Sequence, residues 1–242
     1  MAATPTGPGG PIERPYTFML VAVSLDGKIS PRRQPGQPNP IGPQLIDPEI
    51  MKLHNAQRAS VDAIMVGRNC ILLDDARLTL REGTGRSPTR VILDGLAEIP
   101  PSARVLGPEA PTVVVVSGDA PADRVAAFRA RGARIAVAGR GRYVDVALAV
   151  RLLRSEHGVE RLLVEGGGSV HRSMIAHGLY DEIRLIICPF VIGGSTSVTP
   201  VERSAFWPQG PVPGFRLHAA QTLGDYLYVT YKPVGAVAPA TT

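Results

Sequence analysis

The chain has 242 residues, enough for one large α/β domain or two small ones. Composition is ordinary for a globular protein, 44% hydrophobic and 19% charged; no apolar run approaches a membrane span, so a cytoplasmic protein outside the membrane is expected. The net charge of +5 comes from 26 Lys+Arg against 21 Asp+Glu, and the scattered arginines argue against a nucleic-acid partner and mildly for a phosphorylated small-molecule one.

In chain order, residues 1–14 read as a Pro- and Gly-rich tail. Tyr16–Val23 is an apolar run that predicts a buried strand. A Pro-rich loop occupies residues 31–43, long enough to be part of a site. Asp47-Pro48-Glu49 predicts a helix start, with an N-cap, proline at N1 and an acid in the first turn. That helix should run to about Ala59 with Ile50, Leu53 and Ala56 on its core side. Residues 63–66 predict a second buried strand, followed by the turn Gly67-Arg68-Asn69-Cys70 and a short helix ending near Asp74-Asp75.

Residues 90–93 and 112–116 predict strands that are apolar throughout, as in sheets covered on both faces. A helix over 120–131, a strand over 133–138 and a helix over 145–155 follow, the last facing inward with Val146, Ala149, Val150 and Leu153. Residues 162–165 then form a strand ending in Gly166-Gly167-Gly168-Ser169, with a helix reaching His177 and a strand over 182–188. The end reads as a hairpin, 215–222 and 226–231 about Leu223-Gly224-Asp225, before a tail at 236–242. Strands alternating with helices and then an antiparallel pair give a single α/β domain over 15–235 with a mixed, mainly parallel sheet.

The stretch from Leu162 to Ser169 carries the most chemistry. Strand, glycine turn and helix start in that order make an anion cradle, because glycines admit close approach and first-turn N–H groups point outward. Glu165 would face the crevice beside it. The turn at 67–70 is a second such exit and adds Arg68, whose guanidinium suits phosphate. Taken alone, each turn is as well explained by plain punctuation. Asp74 and Asp75 are adjacent acids, with Arg77 and Arg81 as candidate partners for one of them. His171 and His177 read as structural helix residues. Ala22 to Ser30 fails the P-loop pattern at two positions, and no G-x-G-x-x-G fingerprint is present. Cys70 and Cys188 give no metal or disulfide spacing and the five histidines no HExxH, so no metal is expected.

Five stretches in order resemble one family: 22–30 (AVSLDGKIS), 62–81 (DAIMVGRNCILLDDARLTLR), 90–94 (RVILD), 164–168 (VEGGG) and 189–194 (PFVIGG). The chain resembles the pyrimidine reductases of riboflavin biosynthesis, a family with a dihydrofolate-reductase-like fold, and is most similar to the stand-alone archaeal and fungal type. The resemblance implies NADPH as hydride donor, a homodimer, and reduction of a ribosylamino-pyrimidine 5′-phosphate to its ribitylamino product. The implied chemistry opens the glycosylamine to an imine and delivers hydride to the first sugar carbon.

Residue by residue, the resemblance places Ala22, Cys70, Asp74, Gly166, Gly167, Gly168, Ser169, Val170, His171, Arg172 and Ser173 on the cofactor. Gly67, Arg68 and Asn69 would form its phosphate turn. Arg58, Leu78, Arg81 and Glu165 would hold substrate, with both arginines on its phosphate. Asp26 and Asp74 are candidates for proton handling, and Glu165 is also placed among the catalytic groups. Three departures stand out: Cys70 where many relatives have Thr, Ala76 where they have Pro, and no tryptophan near Gln44. The H-x-E and P-C-x-x-C zinc pattern of nucleobase deaminases is missing, so a stand-alone reductase is expected. Rival readings are a reductase of the same fold acting on a pterin or secondary-metabolite precursor, and a non-catalytic nucleotide-binding module.

Overall fold

One nine-stranded sheet in the order β5-β4-β3-β2-β6-β1-β7-β9-β8 carries the site. The computed structural model describes residues 14–237 except 36, 38, 40, 43, 82–84, 207 and 209. Its strands are β1 (Tyr16–Val23), β2 (Ala63–Gly67), β3 (Thr89–Leu93), β4 (Thr112–Val116), β5 (Arg134–Val137), β6 (Arg161–Gly166), β7 (Glu182–Ile187), β8 (Val212–Leu223) and β9 (Tyr226–Val237). The first seven are parallel; β9 joins β7 and β8 antiparallel, so the sheet is mixed and mainly parallel, as expected.

The helices are α1 (Pro48–Ala59), α2 (Arg68–Asp74), α3 (Ala122–Ala130), α4 (Val146–Ser155) and α5 (Gly168–Ala176), with a 3-10 turn at Arg104–Leu106. Alternate residues of each strand feed two cores. Phe18, Leu20, Ile92 and Val114 pack with Ile50 of α1, Ile71 of α2 and Phe128 of α3. Met19, Val21, Val91 and Val113 pack with Val146, Ala149 and Leu153 of α4 and Met174 of α5. Helices on both faces explain why these strands are apolar without alternation.

Local chemistry accounts for the element ends. The Asp47 carboxylate accepts from Glu49 N at 2.8 Å, a cap of about 1 kcal/mol, and Pro48 follows it. Asp145 caps α4 the same way through Leu148 N at 2.9 Å. Pro121 stands at the α3 N-cap without a side-chain bond, so that helix starts at Ala122 instead of 120.

Two expectations need correction. Ala56 is exposed, and the inward face of α1 is set instead by Ile50 and Arg58, with Leu53 partly buried. The hairpin is longer than expected, because β8 and β9 stay paired from Leu223↔Tyr226 out to Val212↔Val237, with register shifts at Leu217/Ala219 and Gly214/Phe215. β9 therefore takes in Ala236 and Val237, and the expected tails otherwise fall largely outside the described residues.

Candidate active site

β2 and β6 are neighbouring parallel strands, yet their following helices leave toward opposite cores, α2 with Ile71 and α5 with Met174. Diverging connections open a crevice at the strands' carboxyl ends, the place where open α/β sheets bind ligands. Both exits are glycines, and they touch. A Cβ on Gly67 would stand 2.9 Å from Val170 Cγ2 and 3.8 Å from Gly167 N, and one on Gly166 would stand 3.4 Å from Cys70 Sγ. Gly166 also has φ 150°, a conformation that side chains disfavour. Gly167 caps α5 with no side-chain hydrogen bond, so the N–H groups of Gly168 and Ser169 have no partner within the helix. Amides without a helical partner and the helix dipole suit a phosphate group, and residues Thr199 and Glu202 pack against Gly168 at this helix start.

Glu165 lies at the end of β6, one residue before this turn. Arg58 on α1 donates to both its oxygens, Nε to Oε1 at 2.7 Å and Nη2 to Oε2 at 2.6 Å, and its Nη1 donates to Thr79 O at 3.1 Å. Arg58 is 8% exposed, so the pair is nearly dry. Burial opposes the Glu165 charge, but Arg58, helped by His54 and Arg81, outweighs it and holds the carboxyl below its usual range. His54 Nε2 stands 3.5 Å from Glu165 Oε1. Arg81 approaches the same cluster while remaining exposed; among the described residues no ion pair engages its guanidinium, and its backbone N–H donates to Asn55 Oδ1 at 2.9 Å. The cluster therefore contains one locked arginine and one available arginine.

The other expected residues divide sharply. Cys70 packs behind Gly166, and burial together with the Asp74 and Glu165 carboxylates pushes its thiol up to about 12, so it is inert. Ala22 and Ser173 are half-buried, and Asn69 is exposed. Arg33 Nη1 donates to Asp74 Oδ1 at 2.7 Å, bringing the Pro-rich loop onto α2. Asp75, at φ 41°, accepts from Arg104 N, so neither acid takes Arg77 or Arg81 as partner. Asp26 is exposed and accepts from Ser24 Oγ, Ile192 N and Gly193 N, which lower its pKa to about 2. Such an anion ties two loops together and is a poor proton donor.

Four side chains that the resemblance assigns to the site are engaged elsewhere, His171 as a structural helix residue. Arg68 is ion-paired with Glu98, which Arg142 also reaches, so its guanidinium is already engaged by a carboxylate. Leu78 is 4% exposed and belongs to the core. His171 is fully buried and its Nδ1 lies 2.6 Å from Tyr180 Oη. Arg172 donates to Ser204 O and stacks on Phe206 at 3.7 Å. His54 was not anticipated; its spacing of four from Arg58, which puts both on one face of α1, is the signal that could have found it.

Residues 15–227 match the RibD C-terminal domain family. The chain is 39% identical over 225 residues to the 2,5-diamino-6-ribosylamino-4(3H)-pyrimidinone 5′-phosphate reductase of Methanothermobacter thermautotrophicus, covering 92% of this chain and all of that one. A protein of the same name from Archaeoglobus fulgidus is 37% identical, with 90% and 98% covered. Among solved structures, a pyrimidine reductase-like protein of Corynebacterium diphtheriae shares the fold at TM-score 0.71 and 18% identity, covering 91% of this chain and 92% of that one. The Rib7 reductase of Saccharomyces cerevisiae does so at TM-score 0.68 and 16% identity, with 94% and 93% covered. The sheet order, the paired glycine exits and these matches lead to one conclusion: the chain belongs to the RibD C-terminal domain family, the pyrimidine reductases of riboflavin biosynthesis.

Proposed function

We propose that this protein is an NADPH-dependent reductase of 2,5-diamino-6-ribosylamino-4(3H)-pyrimidinone 5′-phosphate, the substrate named in its stand-alone relatives. The observation that carries this reading is the buried Arg58–Glu165 pair with Arg81 beside it, set against two touching glycine turns. One side of such a crevice suits a diphosphate and the other a phosphorylated sugar.

The bound nicotinamide would supply the hydride. The chain's own contribution is positioning. The amides of Gly168 and Ser169 would hold the diphosphate, with Gly67 and Gly167 allowing close approach. Glu165, ionised and fixed by Arg58, would accept from substrate hydroxyl or amino groups, and Arg81 would meet the 5′-phosphate. Asp74, four residues after Cys70 and so on the same face of α2, is the better candidate for proton handling. Asp26, already holding three donors, is the weaker one.

The reading includes a cytoplasmic homodimer. For it, β8 ends the sheet with Val212 and Leu217 exposed.

The test is to follow NADPH consumption with the diamino pyrimidine phosphate and, separately, its deaminated counterpart. Consumption with the diamino compound is expected. Preference for the deaminated one would change the substrate, and none with either would end the reading.

A further inference from the structure

His54 sits at the centre of the charged cluster, 3.5 Å from Glu165 Oε1. α1 presents His54 and Arg58 four residues apart on one face, and both reach Glu165 on β6. Arg58 is held by both carboxylate oxygens and by Thr79 O, so it cannot swing toward a ligand without breaking three hydrogen bonds. The charged groups facing His54 are Glu165 from β6, Arg58 from α1 and Arg81 from the segment after α2. Counted with a neutral imidazole, that is two cations against one anion.

We propose that His54 is a positioning residue that takes up a proton from solvent as the phosphorylated substrate docks. The imidazolium then grips Glu165 Oε1, and Arg81 is left to the phosphate. This deepens the function proposed above and rests on it.

Charge balance sets the imidazole's protonation. In the ligand-free protein, burial first, and then Arg58 and Arg81, disfavour the charged imidazole more than Glu165 favours it. A phosphate dianion arriving at Arg81 reverses that balance, because a nearby negative charge favours protonation. The proton sits on an imidazole nitrogen while ligand is bound and returns to solvent on release. Binding linked to proton uptake weakens as pH rises. The phosphate's own second ionisation, near pH ~6, works in the opposite direction, so the sign of the pH dependence separates the two.

The experiment has two arms. In turnover, KM for the pyrimidine phosphate should rise several-fold from about pH 6.5 to about pH 8.5, while KM for NADPH stays level. His54→Gln, which can still donate to Glu165, should keep kcat within about threefold and lose that rise in KM. A variant that retains the wild-type dependence would overturn the proposal. The second arm needs no turnover: the His54 imidazole resonance, assigned by its loss in His54→Gln, is titrated with and without inorganic phosphate. An upward move of its midpoint by about half a pH unit or more is expected, and an unmoved midpoint overturns the proposal. If no pyrimidine phosphate is reduced, the proposed function fails, and the resonance arm still judges His54 by itself.

Discussion

Arg58 and Glu165 stand 107 positions apart in the chain and meet through two parallel hydrogen bonds of 2.7 and 2.6 Å. The geometry is bidentate and nearly dry, so each charge depends on the other. Removing one partner should cost about 3–5 kcal/mol, because the survivor is left buried and uncompensated. Glu165→Leu and Arg58→Met should each lower the denaturant midpoint strongly, and the double variant should recover much of it. All three should be inactive. Recovery of stability without activity would mark the pair as functional machinery and not a requirement of the fold.

Among the described residues, Arg81 is the arginine of the cluster whose guanidinium no ion pair engages. Arg81→Ala should remove a charge-assisted bond of about 1.5–3 kcal/mol, raising KM for the phosphorylated substrate roughly 10- to 100-fold. KM for NADPH should stay nearly constant. A comparable loss of cofactor affinity would show that Arg81 serves the other ligand.

Contact between the two glycine turns yields a sharper test. Gly67→Ala would set its methyl 2.9 Å from Val170 Cγ2, and a β-branched neighbour yields poorly. NADPH affinity should fall, and adding Val170→Ala should restore most of it by making room. Failure of the second change to rescue would mean that the turns act independently.

His171 makes a stability prediction. Burial lowers its pKa to about 3 from the model-peptide value of 6.5. The unfolded chain therefore binds this proton more readily, and stability rises with pH across that interval. The contribution is fully present above pH 6.5 and should be lost at about 1.4 kcal/mol per pH unit as pH falls toward 3. Thermal unfolding at pH 7 and pH 5 should show a larger drop for the wild type than for His171→Leu.

Much of the architecture was legible because it is written locally. Apolar runs such as Thr112–Val116 announce strands covered on both faces, and Asp47-Pro48-Glu49 announces a helix start. The glycine exits after β2 and β6 were readable for the same reason. What the chain does not write locally is which charge meets which. Arg68 finds Glu98 in a later loop, and Asp74 finds Arg33 from the Pro-rich segment, 41 positions earlier. Leu78 and His171 matched site positions by motif, but their side chains face the core, where burial decides. A lone histidine on a helix, as His54 is, carries no signal until the strand bearing Glu165 is placed opposite it.

The proposed function requires one crevice to hold a diphosphate against the α5 amides and a sugar phosphate against Arg81. A crystal structure with NADP⁺ and the ribitylamino product phosphate tests this most directly. Diphosphate oxygens are expected within hydrogen-bond distance of Gly168 N and Ser169 N, and the product's phosphate on the Arg81 guanidinium. A diphosphate bound at Arg81, or either ligand bound away from the junction of residues 67 and 166, would contradict it.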